Sequence, residues 1–430
     1  MSPRAPAPAA LGLLPNLQSL AQQAPGAWRG DVSAGLTTAT LLVPQSMAYA
    51  LIAGLPPQMG LYAATLPLAA YALLGSARTL SVGPVAMDSL LTAATLTPLF
   101  AAGGAQYRGG AVALAALVGV ALIAMSALRV GRLARHLSDA MMSGFTSAAA
   151  LIIAVSQLKH LLGVQLNDGA APHEALLEAA RRAGEVQPLT LAVGIASLAL
   201  FKGLPALAPR VPAGLIGVVA ATALSALLDG RARGLSTVGE VPQGLPTLSV
   251  DALTSALSAL TGAQALPMLG GALSIALLAF MEAMAIGRAV AARHGYEVRP
   301  GQELLALGAT NLTAALFGGY PVAGGFSRTA VNDRAGARTP LAALVTMLVV
   351  LLVLWRFTPA LRALPHATLA AMIMGAVVGL IDLKAPLGWL RRDRRRAAIW
   401  SGTALATLAL GPQPGILTGV ALSLALRPRA

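Results

Sequence analysis

Three ionisable side chains stand inside stretches of sequence that are otherwise apolar: Asp88, Glu282 and Arg328. Placing an arginine at the centre of a bilayer costs about 2.5–3.5 kcal/mol on insertion scales, so such a residue must face a cavity and a negative partner. Arg328 is therefore suited to binding an anion, and Glu282, in LLAFMEAMAIGRA (277–289), is suited to carrying a proton. The alternative is an internal ion pair between Arg328 and one carboxylate, which would only hold helices together.

Two apolar segments are interrupted at places that could form a binding site. TLSVGPVAMDSLLTAATLTPLF (79–100) breaks at Gly83-Pro84, and YPVAGGFSRTAVND (320–333) breaks at its glycines, shortly before Arg328. Proline suits the first turn of a helix, so each break predicts a short extended piece followed by a half-helix that begins inside the membrane. Irregular backbone at that depth is tolerated only where it is buried in protein or lines a wet cavity.

The N-terminus of each half-helix presents unpaired N–H groups and about half a positive charge. Breaks at corresponding places in two repeats are a sequence pointer to a transporter's substrate site. Two facing helix N-termini beside an arginine predict an anion site. The alternative is that the glycines only allow close packing of membrane helices.

Composition excludes most soluble classes of protein. Of 430 residues, 56% are hydrophobic and only 11% are charged, which is typical of a membrane protein. The net charge of +14 does not predict nucleic-acid binding, because the basic residues are scattered between apolar segments and form no groove-reading motif. The absence of cysteine excludes disulfides and thiol chemistry.

Apolar runs of roughly the 20 residues needed to span a bilayer fall into two series of seven. The first series covers about 33–54, 59–77, 84–102, 110–128, 138–159, 189–207 and 211–228. The second covers about 266–290, 302–318, 324–336, 340–357, 366–382, 397–410 and 412–426. An odd number of spans per repeat reverses the second copy, so the sequence predicts two inverted repeats.

Three weak internal matches favour this duplication. QLKHLLG (157–163) resembles DLKAPLG (382–388), the two breaks share one pattern, and Gln45 and Glu282 take comparable places in their helices. The chain is therefore predicted to be an all-α polytopic membrane protein of fourteen spans, with two short strands leading into the half-helices of spans 3 and 10.

The distribution of basic residues orients this topology. Most of the 30 lysines and arginines, including the run RRDRRR (391–396), fall in loops on one side, and positive loops are cytoplasmic. Both termini are therefore predicted to be cytoplasmic, in a multi-pass protein of the cell's inner (plasma) membrane. The outside loops, 160–188 and 229–265, are predicted to hold short surface helices.

Three stretches carry a family resemblance. VPQSMAYALIAGLPPQMGLYAATLP (43–67), SVGPVA (81–86) and GGFSRTAVN (324–332) resemble the sulfate permease (SulP) family of anion transporters, and the match covers nearly all of the chain. Members move sulfate, bicarbonate, chloride, oxalate or dicarboxylates, some with protons or sodium, and are commonly dimers. The family usually carries a STAS domain after the last span, and because this sequence stops at LALRPRA (424–430), that domain is expected to be missing.

The resemblance also implies a division into a mobile core and a gate. The predicted parts are a cytoplasmic N-terminal segment at 1–32, core spans 1–4 at 33–128, gate spans 5–7 at 129–265, core spans 8–11 at 266–357, and gate spans 12–14 with a short C-terminus at 358–430.

Matching the family's motifs position by position implies a substrate site with seven residues. They are Gln45, Tyr49, Val85, Ala86, Phe326, Ser327 and Arg328. The chemistry of these residues is compatible with an anion, because amide and hydroxyl groups can donate, an aromatic face can close a wall, and Val85 and Ala86 can offer backbone N–H groups.

Glu282 stands where the family has a carboxylate in the eighth span, and it is the predicted proton-coupling residue. Sodium is the rival ion, but Leu278 and Ile286, one turn away on either side, supply no oxygen ligand. A permanent ionic partner for Arg328 is the other alternative for Glu282. Asp88 lies one turn into its half-helix, where the dipole favours a negative charge, and it is the secondary candidate for coupling.

The sequence thus predicts a proton-coupled symporter of sulfate or dicarboxylates that works by alternating access, with a homodimer as the expected assembly. The alternatives are a bicarbonate or chloride exchanger, a sodium-coupled symporter and an uncoupled anion channel. Nucleobase permeases share the fold, but neutral ligands would not require Arg328. No enzyme activity, cofactor or metal site is predicted, since the five histidines, His136 among them, form no ligand-like pair.

Overall fold

The computed structural model describes residues 15–16, 20, 28–101, 103–131, 138–166, 171–208 and 213–426. Much of the predicted N-terminal segment, His136 and the last four residues lie outside this part of the chain. The first half contains α1 (Trp28–Ile52), α2 (Pro57–Ala63), α3 (Leu66–Leu74), β1 (Val82–Gly83), α4 (Ala86–Leu96), α5 (Ala105–Ala127), α6 (Asp139–Ser156), α7 (Leu158–Leu162), α8 (Pro172–Arg181), α9 (Pro188–Leu207) and α10 (Ala213–Leu227).

The second half repeats this organisation. It contains α11 (Val250–Ser258), α12 (Gly262–His294), α13 (Pro300–Leu316), β2 (Ala323–Gly324), α14 (Phe326–Arg334), α15 (Leu341–Leu352), α16 (His366–Val378), α17 (Lys384–Arg392), α18 (Arg394–Leu410) and α19 (Pro412–Ala425). A π turn at Val353–Phe357 and a 3₁₀ turn at Thr358–Ala363 extend α15. The two predicted outside loops hold the short helices α8 and α11.

Within the described chain, five helices are long and apolar enough to cross a membrane by length and composition. They are Ala105–Ala127, Asp139–Leu162, Pro188–Leu207, Gly262–His294 and Leu341–Ala363. Other predicted spans are shorter or divided. The run at 59–77 forms α2 and α3 instead of one helix, because Thr65 leaves the helical conformation and its hydroxyl donates to the carbonyl of Tyr62 (2.6 Å), while Pro67 starts the second piece.

The two predicted strands pair with each other at the centre of the fold. β1 and β2 are antiparallel, with Val82 opposite Gly324 and Gly83 opposite Ala323. The local twofold axis through the Gly83–Ala323 pair relates the strands with an offset of 240 (323 minus 83), which also separates the N-cap residues Val85 and Gly325 of the two half-helices. Because antiparallel strands run in opposite directions, α4 and α14 leave the crossing on opposite sides, as inverted repeats require.

Side chains satisfy the backbone groups that this short sheet leaves free. The amide of Asn311 accepts from the N–H of Val322 (3.0 Å) and donates to its carbonyl (3.0 Å). The N–H of Ser81 donates to the hydroxyl of Thr329 (3.0 Å), and the N–H of Gly325 donates to the carbonyl of Ser81 (2.9 Å). Since unpaired backbone is costly at membrane depth, these contacts stabilise the extended segments.

Small residues let the surrounding helices approach closely. A Cβ placed on Gly119 of α5 would lie 2.8 Å from the carbonyl oxygen of Gly308 in α13, and the reciprocal distance is 2.9 Å. Packing of this kind replaces the hydrophobic effect as a driving force between helices in lipid. It holds α5 and α13 as a rigid pair beside the crossing strands.

Two buried carboxylates outside the crossing are fully engaged in structural hydrogen bonds. Asp31 accepts from the backbone N–H groups of Arg338 (2.7 Å) and Thr339 (3.0 Å) and from the hydroxyl of Thr339 (2.7 Å). Glu303 accepts from the hydroxyl of Tyr71 (2.5 Å) and from the N–H and hydroxyl of Ser76 (2.7 and 2.6 Å). These carboxylates fix loops to helices.

Candidate anion-binding site

A cavity of about 60 Å³ lies where the two half-helices begin. One water needs about 10–15 Å³ by the same measure, so the space suits a few waters or one small ion. The lining residues are Tyr49, Val85, Ala86, Met87, Glu282, Gly324, Gly325, Phe326, Ser327, Arg328, Ala376, Val377 and Leu380. Both repeats contribute to this cavity.

The N-termini of α4 and α14 both open onto this cavity without a capping side chain. Val85 and Gly325 occupy the N-cap positions in extended conformation, and neither position has a side-chain hydrogen bond to the helix. The helical ladders begin with Ser89 N–H to Val85 O and Thr329 N–H to Gly325 O, both 3.0 Å. The backbone N–H groups in the first turn of each helix are therefore available to an anion, which helix N-termini bind readily.

Arg328 joins the two breaks. Its side chain is buried (1% exposed), and Nη1 donates to the carbonyl of Pro84 (2.7 Å) at the start of α4. The guanidinium packs against both breaks, because Nη2 lies 3.5 Å from a Cβ placed on Gly83 and 2.8 Å from one placed on Gly325. Nε and Nη2 have no hydrogen-bond partner among the described residues, so two donor atoms remain for a ligand.

The internal ion pair, which the sequence left open as the alternative, is not formed among the described residues. No carboxylate of the described chain lies within the 4.0 Å ion-pair distance of Arg328. Glu282, from α12, is buried on the cavity wall and forms no hydrogen bond with the described residues. It is an electrostatic neighbour of both Arg328 and Asp88. Its carboxylate is therefore free to exchange a proton with the cavity.

Seven of the nine residues singled out from the sequence line this cavity. They are Tyr49, Val85, Ala86, Glu282, Phe326, Ser327 and Arg328. Gln45 and Asp88 do not line it, although both are buried. Gln45 lies one turn before Tyr49 on α1. Within the part of the chain that the structure describes, its Oε1 and both carboxylate oxygens of Asp88 have no hydrogen-bond partner. The functional role of each residue stays a prediction.

The structure adds an apolar wall that sequence reasoning missed. Ala376, Val377 and Leu380, at and just beyond the C-terminal end of α16, close the cavity together with Met87 of α4. No sequence signal marked these three residues, since residues 369–381 contain no polar side chain. Met87 could have been found, because the offset of 240 relates it to the predicted site residue Ser327.

The electrostatic potential from the polar groups around the cavity is mainly positive. Two helix N-termini and one guanidinium supply positive potential, and Glu282 is the only carboxylate on the wall. Within the described residues, no group of three or more histidine, aspartate or glutamate side chains could hold a metal ion. His160 and His366 do contact each other, with ring centroids 5.4 Å apart. The cavity is therefore built to accept an anion through backbone and arginine donors.

Comparison with known proteins agrees with this chemistry. The Sulfate permease family matches residues 28–403. A probable sulfate transporter of Mycobacterium tuberculosis is 39% identical over 397 residues, which cover 92% of this chain and 69% of that protein. The chloroplastic sulfate transporter 4.1 of Arabidopsis thaliana is 35% identical over 403 residues, which cover 92% of this chain and 57% of that protein.

Solved structures show the same fold. The murine solute carrier 26 family member A9 anion transporter, in its inward-facing state, has a TM-score of 0.89 and 27% identity, over 98% of this chain and 72% of that chain. The transmembrane domain of the cyanobacterial bicarbonate transporter BicA has a TM-score of 0.79 at 24% identity, over 93% and 98%, which is a likeness of fold alone. The predicted all-α membrane fold of two inverted seven-span repeats is confirmed by this likeness. The chain belongs to the sulfate permease family, and it is an anion transporter of the membrane rather than an enzyme.

Proposed function

We propose that this protein is a secondary active transporter that carries a small divalent anion, sulfate or a dicarboxylate, together with a proton by alternating access. One observation carries the proposal. The free donors of Arg328 and two uncapped helix N-termini lie on the same cavity as the buried Glu282. The names of the mycobacterial and plant relatives favour sulfate as the first substrate to test.

The charges around the cavity favour a dianion. Each helix N-terminus contributes about half a positive charge and Arg328 contributes one more, so the donors sum to roughly +2. With Glu282 neutral, this total matches a divalent anion. With Glu282 ionised, the total falls to roughly +1, and a dianion binds less well. Binding of the anion and protonation of Glu282 therefore favour each other.

Coupling to a proton would lower the electrical work needed to take up a dianion. An inside-negative potential opposes each negative charge that enters by about 2.3 kcal/mol per 100 mV. One accompanying proton removes half of this cost for a dianion. Sodium is the less suitable ion, because Leu278 and Ile286, one turn on either side of Glu282, are buried apolar residues.

The cavity lies between the predicted core and part of the predicted gate, and this position supports alternating access. All of its lining comes from the predicted core spans, at 33–128 and 266–357, except the wall from α16, which belongs to the predicted gate part at 358–430. In this proposal the core moves against the gate spans at 129–265 and 358–430 and carries the anion past that wall. We also propose an inner-membrane homodimer with both termini cytoplasmic, on the distribution of basic residues and the family resemblance.

Transport by purified protein in proteoliposomes tests the proposal. Uptake of labelled sulfate and succinate would be measured under an inward acid gradient, with a pH dye trapped inside and with an inward sodium gradient as the comparison. We expect accumulation and internal acidification under the acid gradient alone. Unlabelled bicarbonate, chloride, nitrate and oxalate would compete to define the substrate class. Uptake that ignores pH and follows sodium would contradict proton coupling, and uptake of none of the dianions would contradict the substrate class.

The variant Glu282→Gln isolates the coupling step, because glutamine resembles the protonated form and cannot release the proton. We expect it to retain exchange of anion between equal pools and to lose accumulation driven by the acid gradient. Glu297→Gln is the matched control, since Glu297 is exposed in a loop after the same helix. Unchanged proton movement in Glu282→Gln would assign coupling to another residue.

A further inference from the structure

A short helix beside the gate wall has features that the transport site does not explain. α17 starts four residues after the cavity residue Leu380 and is too short, at nine residues, to span a bilayer. Its first turn is fixed by Asp382, whose Oδ1 accepts from the N–H groups of Lys384 and Ala385, both at 3.0 Å. Only Pro386 within it is buried. The helix therefore lies on the surface of the protein at one end of the membrane domain.

One side of this segment is an exposed apolar stripe. Leu383, Leu387 and Leu390 are 60%, 62% and 56% exposed. Their spacing of four and three residues places them on one helix face. Trp389 instead packs against the cluster formed by Ala140, Met141 and Ile399 and holds the helix to the protein. This orientation suits a helix that lies in the membrane interface.

The same segment carries a dense group of cations. They are Lys384, Arg391 and Arg392 of α17, and Arg394, Arg395 and Arg396 at the start of α18. Only Arg396 has an acidic partner among the described residues, namely Asp393 at 3.5 Å. Five cations are thus left without an internal counter-charge in a place where the leucine stripe meets lipid. Basic residues on an amphipathic helix attract anionic lipid headgroups.

We propose that this corner, residues 383–396, is a binding surface for the headgroups of anionic phospholipids in the leaflet where it lies. The leucines enter the acyl boundary, and the unpaired arginines contact the lipid phosphates. By the distribution of basic residues, that leaflet is the cytoplasmic one. Since α17 follows closely after Leu380, bound lipid holds the gate wall of the cavity at a fixed depth while the core moves.

Tryptophan quenching by brominated lipids tests this surface in the full chain. A variant with Trp389 as its only tryptophan (Trp28→Phe, Trp355→Phe, Trp400→Phe) would be reconstituted in phosphatidylcholine nanodiscs. These would contain equal small fractions of either brominated phosphatidylglycerol or brominated phosphatidylcholine. We expect phosphatidylglycerol to quench Trp389 about twofold more than phosphatidylcholine, because anionic lipid is enriched there. Equal quenching by the two lipids would overturn the proposal.

Two controls locate the effect. Adding Arg391→Gln, Arg392→Gln and Arg395→Gln to that variant should bring the quenching ratio close to one, while Arg231→Gln with Arg233→Gln, in an exposed loop elsewhere, should leave it unchanged. A variant that keeps only Trp355, which is exposed on the π turn, should show a ratio near one throughout. If the triple variant does not fold, the comparison of Trp389 quenching by the two lipids still tests the proposal. Loss of the excess quenching on addition of inorganic phosphate would assign the cluster to a free anion and overturn the lipid proposal.

Discussion

The helix that begins at Ala86 and the helix that begins at Phe326 take equivalent positions in the two repeats, yet they offer different chemistry. The N-cap residues Val85 and Gly325, 240 residues apart (325 minus 85), relate Met87 to Ser327 and Asp88 to Arg328. The second half-helix thus carries the guanidinium that reaches across to Pro84, and the first carries the carboxylate of Asp88 at that position. Both supply backbone N–H groups, so the duplicated geometry provides the donors and only the second copy provides a positive charge.

The same offset relates Thr329 to Ser89, and the two hydroxyls have different partners. Thr329 accepts from the N–H of Ser81, which ties α14 to the opposite strand. Ser89 forms a hydrogen bond with the hydroxyl of Tyr320 (3.0 Å), just before the second break. Each hydroxyl therefore holds its half-helix to the opposite repeat, whereas neither carboxylate oxygen of the buried Asp88 has a hydrogen-bond partner among the described residues.

The largest effect is expected at the arginine. Arg328→Gln should lower anion uptake about 100-fold or more, because hydrogen bonds from a charged donor are worth about 1.5–3 kcal/mol each and two donor atoms face the ligand. Met87→Gln, which places the same residue on the cavity wall from the other half-helix, is the control and should change uptake far less. Uptake and thermal stability would be measured in parallel. Normal uptake by Arg328→Gln would remove the asymmetry between the half-helices.

The second-largest effect is expected at Asn311, which supports the second strand. Asn311→Ala leaves the N–H and carbonyl of Val322 without partners, and each unsatisfied buried group costs about 1–3 kcal/mol. We expect a clear fall in the melting temperature of the protein in detergent. Ala70→Ser, at a half-buried position on the short helix before the first strand, serves as the control. Unchanged stability of Asn311→Ala would show that the strand is held by other contacts.

Substitution of the two glycines at the breaks should have different effects on the protein. A Cβ at Gly325 would lie 2.8 Å from the guanidinium of Arg328, so Gly325→Ala should displace that flexible side chain and raise the apparent KM about tenfold. Gly83 has φ of 154°, a conformation that other residues rarely adopt. Gly83→Ala should therefore mainly lower stability, by about 1–3 kcal/mol. Measuring KM and melting temperature for both variants separates these outcomes, and identical profiles would contradict the distinction.

The smallest effect is expected at Asp88. Because this residue does not line the cavity, Asp88→Asn should keep uptake driven by an acid gradient within about twofold of the original rate, with Glu282 carrying the proton. Asp88→Thr, which also removes the carboxylate, should behave in the same way. Proton movement would be followed with the trapped dye. Loss of acid-driven accumulation in Asp88→Asn alone would make Asp88 the coupling residue.

The sequence by itself determined the broken helices and the class of protein. A Gly-Pro pair inside an apolar run, a second glycine-rich break and Arg328 next to it are local features whose chemistry does not depend on the rest of the fold. The strands and half-helices that they predicted are present. Seven predicted residues, from Tyr49 to Arg328, also line one cavity, although their roles stay predictions.

Only the tertiary structure decided which side chains meet at this cavity. Val377 and Leu380 form its apolar wall, Asp88 does not line it, and Asn311 holds Val322, eleven residues further along the chain and next to the second strand. A membrane helix is apolar on most of its surface, so its sequence pattern does not show which face is turned inward. The rotation and crossing of the helices set these contacts, and close packing at small residues such as Gly119 and Gly308 fixes both.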